Sequence, residues 1–293
     1  MNTSATPTPY PLPSVPNFKP PPGACNAHAH AMGPFDRFPA PPGHGSPPLA
    51  PIENFVAGMD RLGLQYGVFV QSSGYGTDCR ILIDALERYP ARLRGVALAT
   101  TATPDAELQA MHKLGVRGLR FTGLPFPGKR GKSAGSITLE ELPAMAPKLR
   151  ELGWHAQLWL HCDQLLELAP QFLKLKIPLV LDHMARFEPS RGVKDPAFQN
   201  ILRLLKEEDV WVKLNPTRNS DQFPDYADAR PFHDALVAAN ADRLVWGSDW
   251  PHTNMGDRRP DGGRLLDQFA EWVSDKSIQT KILAANAARL YGF

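Results

Sequence analysis

Apolar residues along this chain gather into short blocks of strand length, each followed by a stretch whose apolar positions recur every three or four residues. The blocks are Ala24–His30, Tyr66–Gln71, Arg94–Ala99, Gly118–Phe121, Ala156–Leu160, Leu179–His183, Val210–Leu214 and Arg243–Asp249. Such runs suit strands buried on both faces. The stretches between them read as amphipathic helices. Ile81-Leu82 is followed by Ala85-Leu86, Leu165-Leu166 by Ala169 and Phe172-Leu173, Ile201-Leu202 by Leu204-Leu205, and Leu265-Leu266 by Phe269 and Trp272. Gly63, Gly115 and Gly153 stand where left-handed helix caps belong, shortly before the next strand. Eight such strand–helix pairs predict an α/β fold of the (β/α)8 TIM-barrel type. A doubly wound open sheet would want a glycine-rich phosphate turn after its first strand, and His28-Ala29-His30 stands there instead.

Proline changes this picture at one end. Half of the 30 prolines fall within the first 51 residues. Residues 1–22 therefore read as an extended Pro-rich N-terminal arm, and residues 23–293 as a single barrel domain. The Pro/Gly-rich stretch from Pro34 to Pro51 reads as a stiff loop over the end of the first strand. A 43% hydrophobic share supports a large core, while 32 basic and 30 acidic residues leave a net charge of only +2. With no Lys/Arg cluster either, nucleic acid is not an expected partner. No apolar run reaches the roughly 20 residues of a membrane span, and the N-terminus lacks the basic head and apolar core of a secretory signal. Cys25, Cys79 and Cys162 are odd in number and lack CxxC spacing, which predicts reduced thiols in a cytoplasmic protein. Monomer and small homo-oligomer both remain open.

In a barrel the chemistry collects at the C-terminal strand ends. An H-x-H on an extended segment points both imidazoles the same way, so His28 and His30 act as a pair. The other strand ends carry Gln71-Ser72-Ser73, Arg120, His161, Asp182-His183 with Arg186, Lys213 with Asn215 and Arg218, and Asp249. Histidines with a carboxylate are what a hydrolase needs to bind a metal or to activate water directly. Arg120, Arg186 and Arg218 around one mouth suggest bidentate recognition of carboxylate or a similar anion. The alternative for Asp249 is an N-cap. His44, His112, His155 and His233 read as structural or solvated.

The H-x-H, Asp182-His183 and Gly247-Ser248-Asp249-Trp250-Pro251-His252 together resemble the amidohydrolase superfamily, from about residue 22 to the C-terminus. Pro22 to Pro39, Gln71-Ser72-Ser73, Gly118-Leu119-Arg120-Phe121 and Asp182-His183-Met184-Ala185-Arg186 look like its 2-pyrone-4,6-dicarboxylate lactonase-like members. The resemblance implies a distorted barrel and a lactone hydrolase of aromatic compound catabolism. Asp249 would be the general base, His28, His30 and His183 would polarise the lactone carbonyl, and Arg120, Arg186 and Arg218 would hold substrate anions. Ser73, Trp159 and His252 join the expected substrate-binding set. Departures exist: Leu124-Pro125-Phe126-Pro127 stands where a second arginine belongs, with Lys129 or Arg130 as shifted substitutes. Trp159 replaces a tyrosine, and His44–Leu49 contains none. The expected substrate is thus a small anionic lactone, 2-pyrone-4,6-dicarboxylate or a carboxylated or sulfonated muconolactone. The alternatives on the same barrel are a lactone isomerase and a single-zinc decarboxylase or hydrolase. No metal is expected to be required. If one divalent ion such as zinc is bound, the implied ligands are His28, His30, His161 and Asp249.

Overall fold

The computed structural model describes residues 10–39, 47–123 and 135–293. Eight parallel strands follow one another around a single sheet: β1 Cys25–Ala29, β2 Tyr66–Val70, β3 Leu93–Ala97, β4 Val116–Thr122, β5 His155–Trp159, β6 Leu179–Leu181, β7 Val210–Leu214 and β8 Leu244–Trp246. Helices α1 Ile52–Leu62, α2 Arg80–Arg88, α3 Asp105–Leu114, α4 Leu142–Leu152, α5 Cys162–Phe172, α6 Pro196–Glu207, α7 Arg230–Asn240 and α8 Gly262–Trp272 connect or follow them. Gly63, Gly115 and Gly153 cap α1, α3 and α4 at φ of 73°, 107° and 64°, a region that costs an L side chain energy and glycine almost none. The strands are shorter than the apolar blocks suggest. β6 stops at Leu181 and β8 at Trp246, so His183 and Asp249 stand on the turns beyond.

Alternation sorts the strand residues into two shells. Gly67 and Gly95 face the helices, because an added Cβ would strike Phe55 and Met59 of α1 in one case and Leu82 and Leu86 of α2 in the other. Their neighbours Val68, Val70 and Val96 therefore point inward, where they cluster with Cys25, Ala27, Val180 and Val245. Tyr291, from the last helical turn Asn286–Tyr291, joins this inner cluster and is fully buried against His155. The lower barrel is thus filled with apolar side chains, and the upper rim is left for polar ones.

Strand β1 changes phase halfway. Cys25 and Asn26 pair with Tyr66 and Gly67, but Ala29 pairs with Phe69, so three steps on β1 oppose two on β2. That extra residue is a β-bulge, a device that re-aims side chains beside functional sites. Cys25 and Ala27 belong to the inner cluster, whereas Ala29 packs in the outer shell. Inward pointing passes from odd to even positions, and both histidines turn into the barrel mouth. The sheet is nearly closed at the same place. Ala29 bridges Trp250, the Asp249 N–H donates to the His28 carbonyl (2.9 Å), and the His30 N–H donates to the Trp250 carbonyl (2.7 Å). Gly247 permits this approach, since its Cβ would lie 2.7 Å from that of His28.

Candidate active site

Three imidazoles surround one carboxylate oxygen. His28 Nε2, His30 Nε2 and His183 Nε2 lie 3.6, 3.6 and 3.8 Å from Asp249 Oδ1. All four side chains are buried. Asp249 adopts φ 65°, and His183, Met184, Ala185 and Arg186 form a run of left-handed residues at φ 48–55°. Left-handed backbone costs an L residue roughly 1–2 kcal/mol. Neighbouring contacts hold the run in place. Asp182 before it is buried in an ion-pair network, and Phe187 after it stacks on Phe232 at 4.0 Å. Strain of this kind persists where surrounding packing over-determines the backbone.

Below the imidazoles lies a layer of buried polar groups. Arg120 Nε donates to Asp182 Oδ2 (2.9 Å), Gln157 Nε2 donates to the same oxygen (3.0 Å), and Lys213 Nζ donates to Gln157 Oε1 (2.6 Å). Asp182 Oδ1 lies 3.1 Å from His28 Nδ1, and Lys213 Nζ lies 3.3 Å from the same nitrogen. Burial works against the charge on Asp182, but His28, Arg120 and Lys213 outweigh it and hold the carboxyl well below its usual range. Burial lowers Lys213 to about 8, opposed by Asp182. Asp249 behaves like Asp182: burial would raise it, yet Arg218 and then His183 dominate, and it stays ionised far below its ordinary value. Burial pushes His183 down to about 3 and His28 well below 6.5, so both are neutral near pH 7.

The hydrogen bonds also fix one tautomer. His30 Nδ1 lies 2.7 Å from the Val70 carbonyl, which can only accept, so Nδ1 carries the proton and Nε2 presents a lone pair. His28 Nε2 lies 3.3 Å from that lone pair. The nitrogens and Asp249 Oδ1 therefore form a compact donor triangle, and a second group, His28, Asp182 and His183, shares His28. Two imidazole nitrogens and a carboxylate oxygen suit zinc, so the residues present fit a divalent ion.

The expected substrate-binding residues divide. Arg218 Nε and Nη2 both lie 2.6 Å from Asp249 Oδ2, and Arg186 Nη1 donates to the carbonyl of Arg218. Arg120, expected free for an anion, is committed through Nε to Asp182 and stacks over Trp159 at 4.7 Å. Ser73 is buried in the turn Ser73–Tyr75 after β2. His252 is buried and pushed to about 4 by burial. It lines a cavity of about 350 Å³ with Tyr10, Phe55, Trp250 and Arg259, and neither Asp249 nor the three imidazoles line that cavity. His161 stands outside both donor groups. Because β5 ends at Trp159, His161 becomes the N-cap of α5, with Nδ1 3.1 Å from the Arg186 carbonyl. Lys129, Arg130, Leu124–Pro127 and His44 lie outside the described residues.

Sequence reasoning passed over Gln157 and gave Lys213 and Asp182 no role of their own. A signal was present. Leu119-Arg120-Phe121, Ala156-Gln157-Leu158 and Val212-Lys213-Leu214 each set one polar residue between apolar neighbours inside a strand. Such a residue must find partners within the barrel.

Comparison with known proteins places the chain in a family. The chain is 36% identical to a 2-pyrone-4,6-dicarboxylate hydrolase of Comamonas testosteroni, covering 96% of this chain and 94% of that one. It is also 36% identical to a 4-sulfomuconolactone hydrolase of Rhizobium radiobacter, covering 94% and 92%. The structure of the Acinetobacter baumannii "probable 2-pyrone-4,6-dicarboxylic acid hydrolase", solved with citric acid bound, superposes with a TM-score of 0.78 at 26% identity. That match covers 92% of this chain and 100% of the other. The amidohydrolase family model matches residues 25–293, and the chain belongs to the amidohydrolase family.

Proposed function

We propose that this chain is a lactone hydrolase that opens the ring of a small dianionic lactone, of the pyrone dicarboxylate or carboxylated or sulfonated muconolactone kind. The observation that carries the reading is the charge around the imidazole cluster. Arg120, Arg186, Arg218 and Lys213 gather around the buried carboxylates Asp182 and Asp249, with Asp221 a further carboxylate near Arg186, so positive charge is in surplus there. A substrate with two anionic groups neutralises that surplus. The relatives of C. testosteroni and R. radiobacter, whose names specify a dicarboxylate and a sulfonate, support the same class.

Asp249 takes a proton from water, and the water oxygen bonds to the lactone carbonyl carbon. Neutral His183 donates its Nε2–H to the oxyanion as it forms, while His28 and His30, bonded to each other through Nε2, hold the same side of the site. The ring C–O bond then breaks, and the proton returns from Asp249 to the departing ring oxygen. Water is consumed once and Asp249 is regenerated. Arg186 and Arg218 hold the substrate's anions, and Arg120 acts mainly by holding Asp182 against His28. Ser73 and Trp159 complete the pocket wall.

No metal is required in this reading. His28 Nδ1 lies against Asp182 and Lys213, His28 Nε2 against His30 Nε2, and His30 Nδ1–H donates to the Val70 carbonyl, so protein groups alone position these two imidazoles. The donor triangle favours a second reading, in which His28, His30 and Asp249 hold one divalent ion. Such an ion would supply Lewis acidity and a more acidic bound water.

Residues 23–293 form the catalytic domain in this proposal, and the described residues 10–22 an arm along its surface. Within that arm Ser14 is bonded to Asp261, and Asn17 and Phe18 to Asp267. Three buried free cysteines fit a reducing, cytoplasmic setting, and no helix among the described residues is long and apolar enough to cross a membrane.

A panel of carboxylated and sulfonated lactones incubated with the enzyme, read by mass spectrometry, tests the reading. Uptake of one water with ring opening is expected. Rearrangement at constant mass would point to an isomerase, and release of CO2 to a decarboxylase.

A further inference from the structure

Arg218 occupies an unusual place for a substrate-binding arginine. Its Nε and Nη2 both contact Asp249 Oδ2, at 2.6 Å, and its Nη1 donates to the Thr253 carbonyl (3.0 Å). Its side chain is 18% exposed against 2% for Asp249, so the guanidinium is the more solvent-facing member of the pair. The backbone beneath it is pinned. Asn215 Oδ1 accepts from the Thr217 N–H (2.9 Å) and Asn215 Nδ2 donates to the Gly247 carbonyl (2.7 Å), tying the loop after β7 to the loop after β8. Arg186 holds the Arg218 carbonyl, and among the described residues it pairs with no carboxylate. The loop is fixed through its own backbone, while the Arg218 guanidinium is held by Asp249 and the Thr253 carbonyl.

We propose that Arg218 is a latch on the general base, released by the substrate's own anionic group. In the free enzyme two N–H donors of a cation engage Asp249 Oδ2, and their charge lowers the basicity of the whole carboxylate, including Oδ1, which faces the imidazoles. An incoming carboxylate or sulfonate, drawn in beside Arg186, offers Arg218 a competing acceptor. The guanidinium turns to it, and the Asp249 carboxylate becomes basic enough to take the proton of the water that attacks the carbonyl. Specificity for an anionic lactone is thereby exerted on kcat as well as on KM, because a neutral lactone binds to an enzyme whose base is still engaged. This inference rests on the lactonase reading and adds to it the reason for the anion.

The experiment compares one anionic lactone with its neutral methyl ester, in the unaltered enzyme and in Arg218→Gln. The unaltered enzyme should turn over the anionic form with a kcat about 100-fold above that of the ester, the scale of a general base's contribution. In Arg218→Gln the two kcat values should converge to within about threefold, the ester's rising, while KM for the anionic lactone increases; this follows from losing charge-assisted contacts without losing the base. Because the variant could misfold, a second measurement uses the unaltered enzyme alone, with the ester as substrate and added acetate or methanesulfonate. Saturable activation is expected. Equal kcat for acid and ester in the unaltered enzyme, an equal fall of both in the variant, or simple inhibition by the added anion would overturn the latch alone. Failure of the unaltered enzyme to hydrolyse any lactone would overturn the underlying reading and the latch with it.

Discussion

The backbone N–H of Asp249 donates to the carbonyl of His28 at 2.9 Å, so the contact that brings the two ends of the sheet together also brings together the carboxylate and the first imidazole. Folding and site assembly are the same event at this seam. Whatever loosens the barrel there disperses the groups that must act together.

Asp249→Asn keeps the shape of the side chain and the backbone hydrogen bond while removing the proton acceptor. Turnover should fall by at least about 100-fold, with the far-UV circular dichroism spectrum unchanged. Lactonase rates like those of the unaltered enzyme would remove Asp249 from the role of base.

Asp182 is fully buried and compensates Arg120 and Lys213 at once. Asp182→Asn should therefore cost about 3–5 kcal/mol of stability, the usual penalty for leaving buried cations unpaired. Urea unfolding reads this directly, and a midpoint equal to that of the unaltered protein would show that the network is not held as described.

Acid should destabilise the protein earlier than its carboxylates alone would require. Burial lowers His183 and His155 to about 3 and His252 to about 4, whereas unfolded histidine titrates near 6.5. Between those values the unfolded chain binds more protons than the folded one, so stability falls as pH drops below about 6.5. Asp182 and Asp249, held well below the usual carboxylate range, add a further loss only below about 4. Thermal melts at pH 7, 6, 5 and 4 should show a midpoint falling throughout. A flat profile down to pH 4.5 would contradict the burial of these imidazoles.

Exhaustive chelation should leave lactone hydrolysis largely intact, and protein produced without added zinc should contain no stoichiometric metal. Activity that disappears with chelation and returns with one equivalent of zinc would select the donor triangle of His28, His30 and Asp249 as an ion site.

Much of this molecule is legible in its sequence. Eight apolar blocks and the glycine caps specify alternating strands and helices, because burial on both faces and the 3.6-residue period leave direct marks on composition. Period two likewise places His28 and His30 on one face. It cannot say which face. A single extra residue in β1 decides that, and its placement depends on pairing with β2 rather than on any local preference. The same limit applies to the left-handed run from His183 to Arg186, which no local signal announces, since those residues do not favour positive φ by themselves. It applies again to Arg120, readable as a free cation until the fold sets Asp182 against it. Local sequence determines which elements form and which residue types lie near their ends. Tertiary structure alone decides how those ends pair, because charges and imidazoles are compensated by residues of other strands and loops, 31 positions away for Arg218 and Asp249 and 62 for Arg120 and Asp182.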